Sequence, residues 1–239
     1  MEMKRFLIKT LNDFRKIYQN VEATENILKI TQGSVEVQVL LIEMHNHCLE
    51  IGDYKKFIGE YRNCIDNLLK QNVYKVNYDM VFPVVRKKDE FEDALFFSMP
   101  LFEDLSMYFV EDMGELFRFI AKNDKVDFNI LYDKSFENLN KLVNPLNKLH
   151  EGLDIYCLRY SSDLVSSMFL NKSTERNIIK LFGLSHIFTI PAASTLLVAA
   201  NTKENVSILK ELVKTEDDPN RISDKIIEFN KGVYRYVGL

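Results

Sequence analysis

The sequence predicts an α+β fold, a mixed sheet packed with helices and divided between two lobes. Apolar residues recur at helical spacing in several long segments, and short alternating or continuous apolar runs stand between them. No unit repeats at a fixed period, and helices and strands do not alternate regularly enough for a doubly wound parallel sheet.

Along residues 3–20, Phe6, Leu7, Leu11, Phe14, Ile17 and Tyr18 fall on one helical face between lysines and arginines, which predicts an opening amphipathic helix. Residues 27–30 form a short strand, Gln32-Gly33-Ser34 a turn, and Val35-Glu36-Val37-Gln38-Val39 alternates strictly, so the three make a β-hairpin. Residues 40–51 show neither period clearly. Asp53 is placed to cap a helix carrying Phe57, Ile58, Tyr61, Ile65, Leu68 and Leu69. After a polar stretch, residues 80–86 are extended and apolar, with Pro83 suited to an edge strand because it has no backbone donor. These features divide the chain into an N-terminal lobe, residues 1–78, and a larger C-terminal lobe, residues 79–239.

In the second lobe, residues 105–110 form a strand, and Asp112-Met113-Gly114 turns into a helix carrying Leu116, Phe117, Phe119 and Ile120. A second helix runs from about 127 to 149, bent at Asn144-Pro145. Residues 154–159 form a strand, and 164–170 a strand or the start of a helix. Residues 172–182 form a helix capped by Asn171 or Ser173 and stopped by Gly183. Residues 187–190 and 195–200 are strands, Asn201-Thr202 caps a helix running to Lys214, residues 222–230 are a last helix, and 233–237 a closing strand.

Composition excludes several classes. With 239 residues, 46% of them hydrophobic, the chain can bury a core, and disorder is excluded. Acidic residues outnumber basic ones by 35 to 31, a net charge of −4 that argues against nucleic acid as a partner. No apolar stretch approaches the ~20 residues of a membrane helix, and charges interrupt the amino terminus where a secretion signal would be apolar. The three cysteines, Cys48, Cys64 and Cys157, form no CxxC pair and read as reduced thiols. The expectation is a cytoplasmic protein with no cofactor.

Catalytic signatures are missing: no GxSxG, Walker, GxGxxG or HExxH pattern occurs. Met44-His45-Asn46-His47-Cys48 holds good metal-ligand types, yet neither a strand nor a helix would bring both imidazoles and the thiol to one side. Glu103, Asp104, Glu111 and Asp112 flank one strand, and strand-end carboxylates can hold a divalent cation or act as acid and base. This is the basis of an alternative reading, a metal-dependent hydrolase or nuclease-like enzyme. The leading candidate is a surface. Phe91, Phe96 and Phe97 stand among Glu90, Glu92 and Asp93, and exposed aromatics rimmed by charge make a protein-binding patch.

The order of elements resembles the YtpQ-like family of bacterial proteins of unknown function. Phe82-Pro83-Val84-Val85-Arg86 is similar to that family's Pro-Val-Ile-Arg-like run. Val110-Glu111-Asp112-Met113-Gly114-Glu115-Leu116-Phe117-Arg118-Phe119-Ile120 is similar to its strand, turn and hydrophobic helix, and Ile190-Pro191 through Ala200-Asn201 to its later strand pair. The resemblance spans roughly residues 1–235 and implies a fold and a bacterial cytoplasmic setting, not a reaction. The sequence thus leads to a non-enzymatic, regulatory protein-binding protein of immunity or inhibitor type, with an acidic, aromatic-bearing surface for its protein partner.

Overall fold

The computed structural model describes residues 2–237 apart from 25–26, 33–34, 70–74, 89, 92–94, 115, 161, 217 and 219. The chain divides into two units, Met1–Lys75 and Val76–Leu239, the boundary lying three residues before the one expected. Its class is α+β, and every described strand pairing is antiparallel, in three sheets rather than one mixed sheet. Most of the pairs are between strands consecutive in sequence, and short connections of that kind make antiparallel neighbours.

In the first unit, helix α1 (Met3–Arg15) buries Phe6, Thr10 and Phe14 at four-residue spacing. Strands β1 (Asn20–Ala23), β2 (Ile27–Gln32) and β3 (Val35–Leu40) form a meander in that order. Val21 lies opposite Ile30, and Ile30 opposite Val37, giving a buried row across the sheet. Strand β1 extends the expected hairpin. The expected turn at Gln32-Gly33-Ser34 falls largely outside the described residues. Residues 41–51 are helix α2 (Leu41–Ile51), ended by Gly52 at φ +68°, where a side chain would be strained. Asp53 then accepts from the Lys55 and Lys56 amides at 2.9 and 3.3 Å and caps α3 (Tyr54–Leu69). Phe57 of α3 meets Phe6 at 5.5 Å between ring centroids.

The second unit holds two sheets. In the smaller one, β6 (Leu105–Asp112) pairs with β4 (Val81–Lys87) along one edge, and with β5 (Ser98–Pro100) and β7 (Phe117–Phe119) along the other. Strand β7 corrects the helix expected after Gly114. Gly114, at φ +91°, and an amide bond from Met113 to the Leu116 carbonyl turn the chain straight back, so Phe119 pairs with Val110.

The outer edge of β4 meets side chains instead of a strand. Asn138 Nδ2 donates to the Val81 carbonyl at 3.0 Å, Ser167 Oγ to the Pro83 carbonyl at 2.7 Å, and the Val85 amide to Ser166 Oγ at 3.0 Å. Pro83 therefore faces its missing donor away from β6, as expected for proline on an edge. Asn138 belongs to α4 (Phe128–Leu139), capped by Asp127; the serines belong to a 3₁₀ helix, Asp163–Leu170. Helix α4 stops about ten residues before the expected end, where Asn171 claims its last carbonyl and one just beyond it: Nδ2 donates to Leu139 and Leu142 at 2.6 and 3.1 Å.

The larger sheet has the order β13-β12-β10-β11-β9-β8, with β8 (Asn147–Lys148), β9 (Ile155–Arg159), β10 (Ser185–Ala192), β11 (Thr195–Ala200), β12 (Ile227–Asn230) and β13 (Val233–Tyr236). Helix α5 (Lys172–Phe182) and the 3₁₀ helix cover one face, packing Phe169 and Ile178 with Leu158, Phe188, Val198 and Ile227. Helix α6 (Lys203–Lys214) covers the other, with Leu209 against Ile155, Ile187 and Leu197. Covering on both faces explains why β10 and β11 read as continuous apolar runs. Strand β12 corrects the last expected helix. Ile226 and Ile227 point to opposite cores, and Lys231 and Gly232, both at positive φ, form the two-residue turn of a hairpin.

Candidate functional site

Two of the three phenylalanines expected on a surface at residues 90–97 are buried, and Phe97 is half-buried. Phe91 is 6% exposed and Phe96 8%. The Phe91 ring sits 5.0 Å from Tyr108, 4.8 Å from Phe119 and 5.7 Å from Phe96, all edge-on, and these rings close one end of the small sheet. Phe97 stacks on Phe128 at 5.8 Å. The segment reads as loop because of its charges, yet its phenylalanines point inward. Glu90 accepts from the Lys87 amide at 3.3 Å and lies 4.0 Å from Arg86; burial pushes its carboxyl above the usual range, against the pull of Arg86. Glu92 and Asp93 lie outside the described residues.

Arg86 itself is buried. Its guanidinium donates to Asp163 and, at 3.1 Å, to the Val85 carbonyl, with the Phe119 ring 5.9 Å away. This ties β4 to the start of the 3₁₀ helix. Two carboxylates balance one buried cation, which is what keeps a charge tolerable in a core.

The strand-end acids do not converge. Glu103 and Asp104 precede β6 and Glu111 and Asp112 end it, about 24 Å away at the rise of an extended strand. Asp104 accepts from the Tyr236 hydroxyl and lies 3.4 Å from Lys225 Nζ. Glu111 accepts from the Asn77 amide at 3.0 Å and lies 3.9 Å from Arg118. Asp112 accepts from the Gly114 amide at 2.8 Å, an Asx turn. In the first unit, His45 and His47 are on α2. His45 sits edge-on to Phe6 at 5.0 Å, and His47 Nε2 is 3.8 Å from Glu60. Cys48 is buried, and burial pushes its thiol up. Among the described residues, no group of three or more His, Cys, Asp or Glu could hold a metal ion.

A different place gathers chemistry. Antiparallel register puts His186 of β10, Phe229 of β12 and Tyr234 of β13 side by side on one face of the large sheet. Phe188 stands in the next row, since side chains two apart share a face. Asn171 caps α5 through the Ser173 and Thr174 amides at 2.8 and 2.9 Å, and this fixes Glu175 and Ile178, three residues apart, over that row. Phe169 of the 3₁₀ helix completes the wall of a cavity of about 10 Å³ lined by these seven residues.

Its geometry is well defined. The His186 imidazole stacks on Phe229 at 4.8 Å, Phe229 meets Tyr234 at 5.0 Å, Phe169 stacks on Phe188 at 4.9 Å, and Phe188 stands perpendicular to Tyr234 at 6.0 Å. His186 is 4% exposed, and its Nδ1 donates to the Gly183 carbonyl at 3.2 Å. Burial holds its pKa below the ordinary histidine value, against the Gly183 bond and the Glu175 charge. Burial, then Glu175, raises the Tyr234 hydroxyl. At the neighbouring hairpin tip, Leu184 and Val233 are more than half exposed, and the Lys231 amide bonds the Leu184 carbonyl at 3.0 Å. Beyond β13 no described strand pairs.

The sequence held a signal for this cleft. His186 alternates with Phe188 and Ile190 on an otherwise apolar face of its strand, a polar group at an inward position. Reading β12 as helix hid its partner row. Among the described residues, no helix is long and apolar enough to cross a membrane. Comparison with protein-family models, curated proteins and solved structures gives no match to this chain.

Proposed function

We propose that the protein is a non-enzymatic binding protein of inhibitor or immunity type. It engages a protein partner through the cleft beside the β12–β13 hairpin, not through residues 90–97. One observation carries this reading: a buried histidine, a carboxylate and four aromatic rings line a small open cleft. Aromatic anchoring at a concave site is how protein surfaces concentrate binding energy. The scattered strand-end acids give the hydrolase alternative no comparable support.

Selection of random peptides displayed against the immobilised protein tests the reading. Enriched peptides are expected to shift the backbone amide resonances of Leu184, His186, Val233 and Tyr234, and the variant Tyr234→Ala is expected to lose them. Failure to enrich any peptide, or a footprint confined to other surfaces, overturns it.

A further inference from the structure

We propose that the cleft is a receptor for a primary ammonium group, the tip of a lysine presented by the partner. The inference rests on the binding role above and names the chemistry that the cleft selects.

Size is the first constraint. About 10 Å³ accommodates one water-sized group. An –NH₃⁺ has that size, whereas a trimethylated ammonium or a guanidinium does not. Polarity is the second. With its proton on Nδ1, committed to the Gly183 carbonyl, His186 brings Nε2 to the cleft as an acceptor, and among the described residues Nε2 has no hydrogen-bond partner. Glu175 adds a carboxylate that makes no ion pair with any described residue yet acts electrostatically on both His186 and Tyr234. Two acceptors, one of them charged, call for a cation with several donors.

The walls supply the third constraint. Phe169, Phe188, Phe229 and Tyr234 surround the space, with centroid separations of 4.9 to 6.4 Å between the pairs that touch. A ring face attracts a cation that comes within about 6 Å of its centroid, and it gives an anion nothing. The methylenes of a lysine stem would lie against Tyr234 and Ile178 on the way in. An anionic or purely apolar side chain would leave Nε2 unpaired, and a carboxylate would also face Glu175.

The test uses the intact protein with nitrogen-15 histidine and the probe n-butylammonium. The expected result is saturable displacement of the His186 Nε2 resonance, with Nδ1 unchanged. Affinity is expected to fall about tenfold in Glu175→Gln, which removes the charge and keeps the shape. Neutral n-butanol and tetramethylammonium are expected to leave the resonance in place. An equal response to n-butanol means an apolar pocket only and overturns the proposal, as does stronger binding of tetramethylammonium. No response to n-butylammonium overturns it also, the cleft then holding water. Displayed peptides that bind at Tyr234 without needing a lysine would defeat this inference alone and leave the binding role standing.

Discussion

Asn171 joins two helices through one buried side chain, and its replacement separates two effects. The carbonyl oxygen accepts from the Ser173 and Thr174 amides and caps α5, while the amide nitrogen donates to the last carbonyl of α4, Leu139, and to the Leu142 carbonyl beyond it. Asn171→Ala loses the cap, worth about 1 kcal/mol, and strips donors from the Leu139 and Leu142 carbonyls at about 1 kcal/mol each, so about 3 kcal/mol is expected in all. Aspartate is as good a cap as asparagine in isolation. Here Asn171→Asp keeps both acceptors but turns a carboxylate oxygen toward the Leu139 carbonyl, where the amide nitrogen now sits 2.6 Å away. It is therefore expected to cost at least as much as alanine at pH 7. The new carboxyl would have a raised folded-state pKa, because only its protonated form can donate. The aspartate variant should regain stability relative to alanine as pH falls through that raised value toward about 4. Urea unfolding followed by circular dichroism at 222 nm measures all three proteins, and melting should drop by about 6–12 °C in the variants. An aspartate variant within 1 kcal/mol of the parent at pH 7 would refute the reasoning, since the cap alone would then explain Asn171.

Other substitutions discriminate as sharply. Phe91→Ala is expected to cost about 3 kcal/mol in urea unfolding, as core phenylalanines do; a change under about 0.5 kcal/mol would return Phe91 to the surface. Ser166→Ala leaves the buried Val85 amide without its acceptor and should cost about 1–3 kcal/mol. His186 is held neutral, its folded pKa lying below the ordinary 6.5, so the unfolded chain takes up the proton first. Its share of stability is complete above pH 6.5 and is lost as pH falls toward the folded value. Stability compared at pH 7.5 and 5.5 should therefore drop more in the parent than in His186→Phe.

Much of the fold was legible because local signals agreed. The alternation of Val35, Val37 and Val39 marks β3, and the polar caps Asp53, Asn171 and Thr202 mark the starts of α3, α5 and α6. Where signals failed, tertiary context decided. Ile226, Ile227 and Phe229 pass equally for a helical stripe and for a strand buried on both faces, and only pairing with β10 distinguishes them. Phe117-Arg118-Phe119 is too short to show its period. The site was less legible than the fold. His186, Phe229 and Tyr234 are brought together by register across three strands, while Glu175 arrives from a helix. The phenylalanines near residue 90 misled because sequence charge marks a segment as loop without saying which way its rings point.

The side-chain capping of β4 also sets an order of events. The Val85 amide waits for Ser166, 81 residues further along, and the Pro83 carbonyl for Ser167, 84 residues along. During synthesis at about 5–20 residues per second, the small sheet exists for several seconds with one bare edge. That edge is apolar through Val81, Val84 and Val85, the kind of template on which nascent chains cross-pair. Closing loops of this length before the contacts reward them is slow. Folding of the second unit is thus gated by arrival of residues 163–170, and a chain stalled before them is the form of this protein most exposed to aggregation.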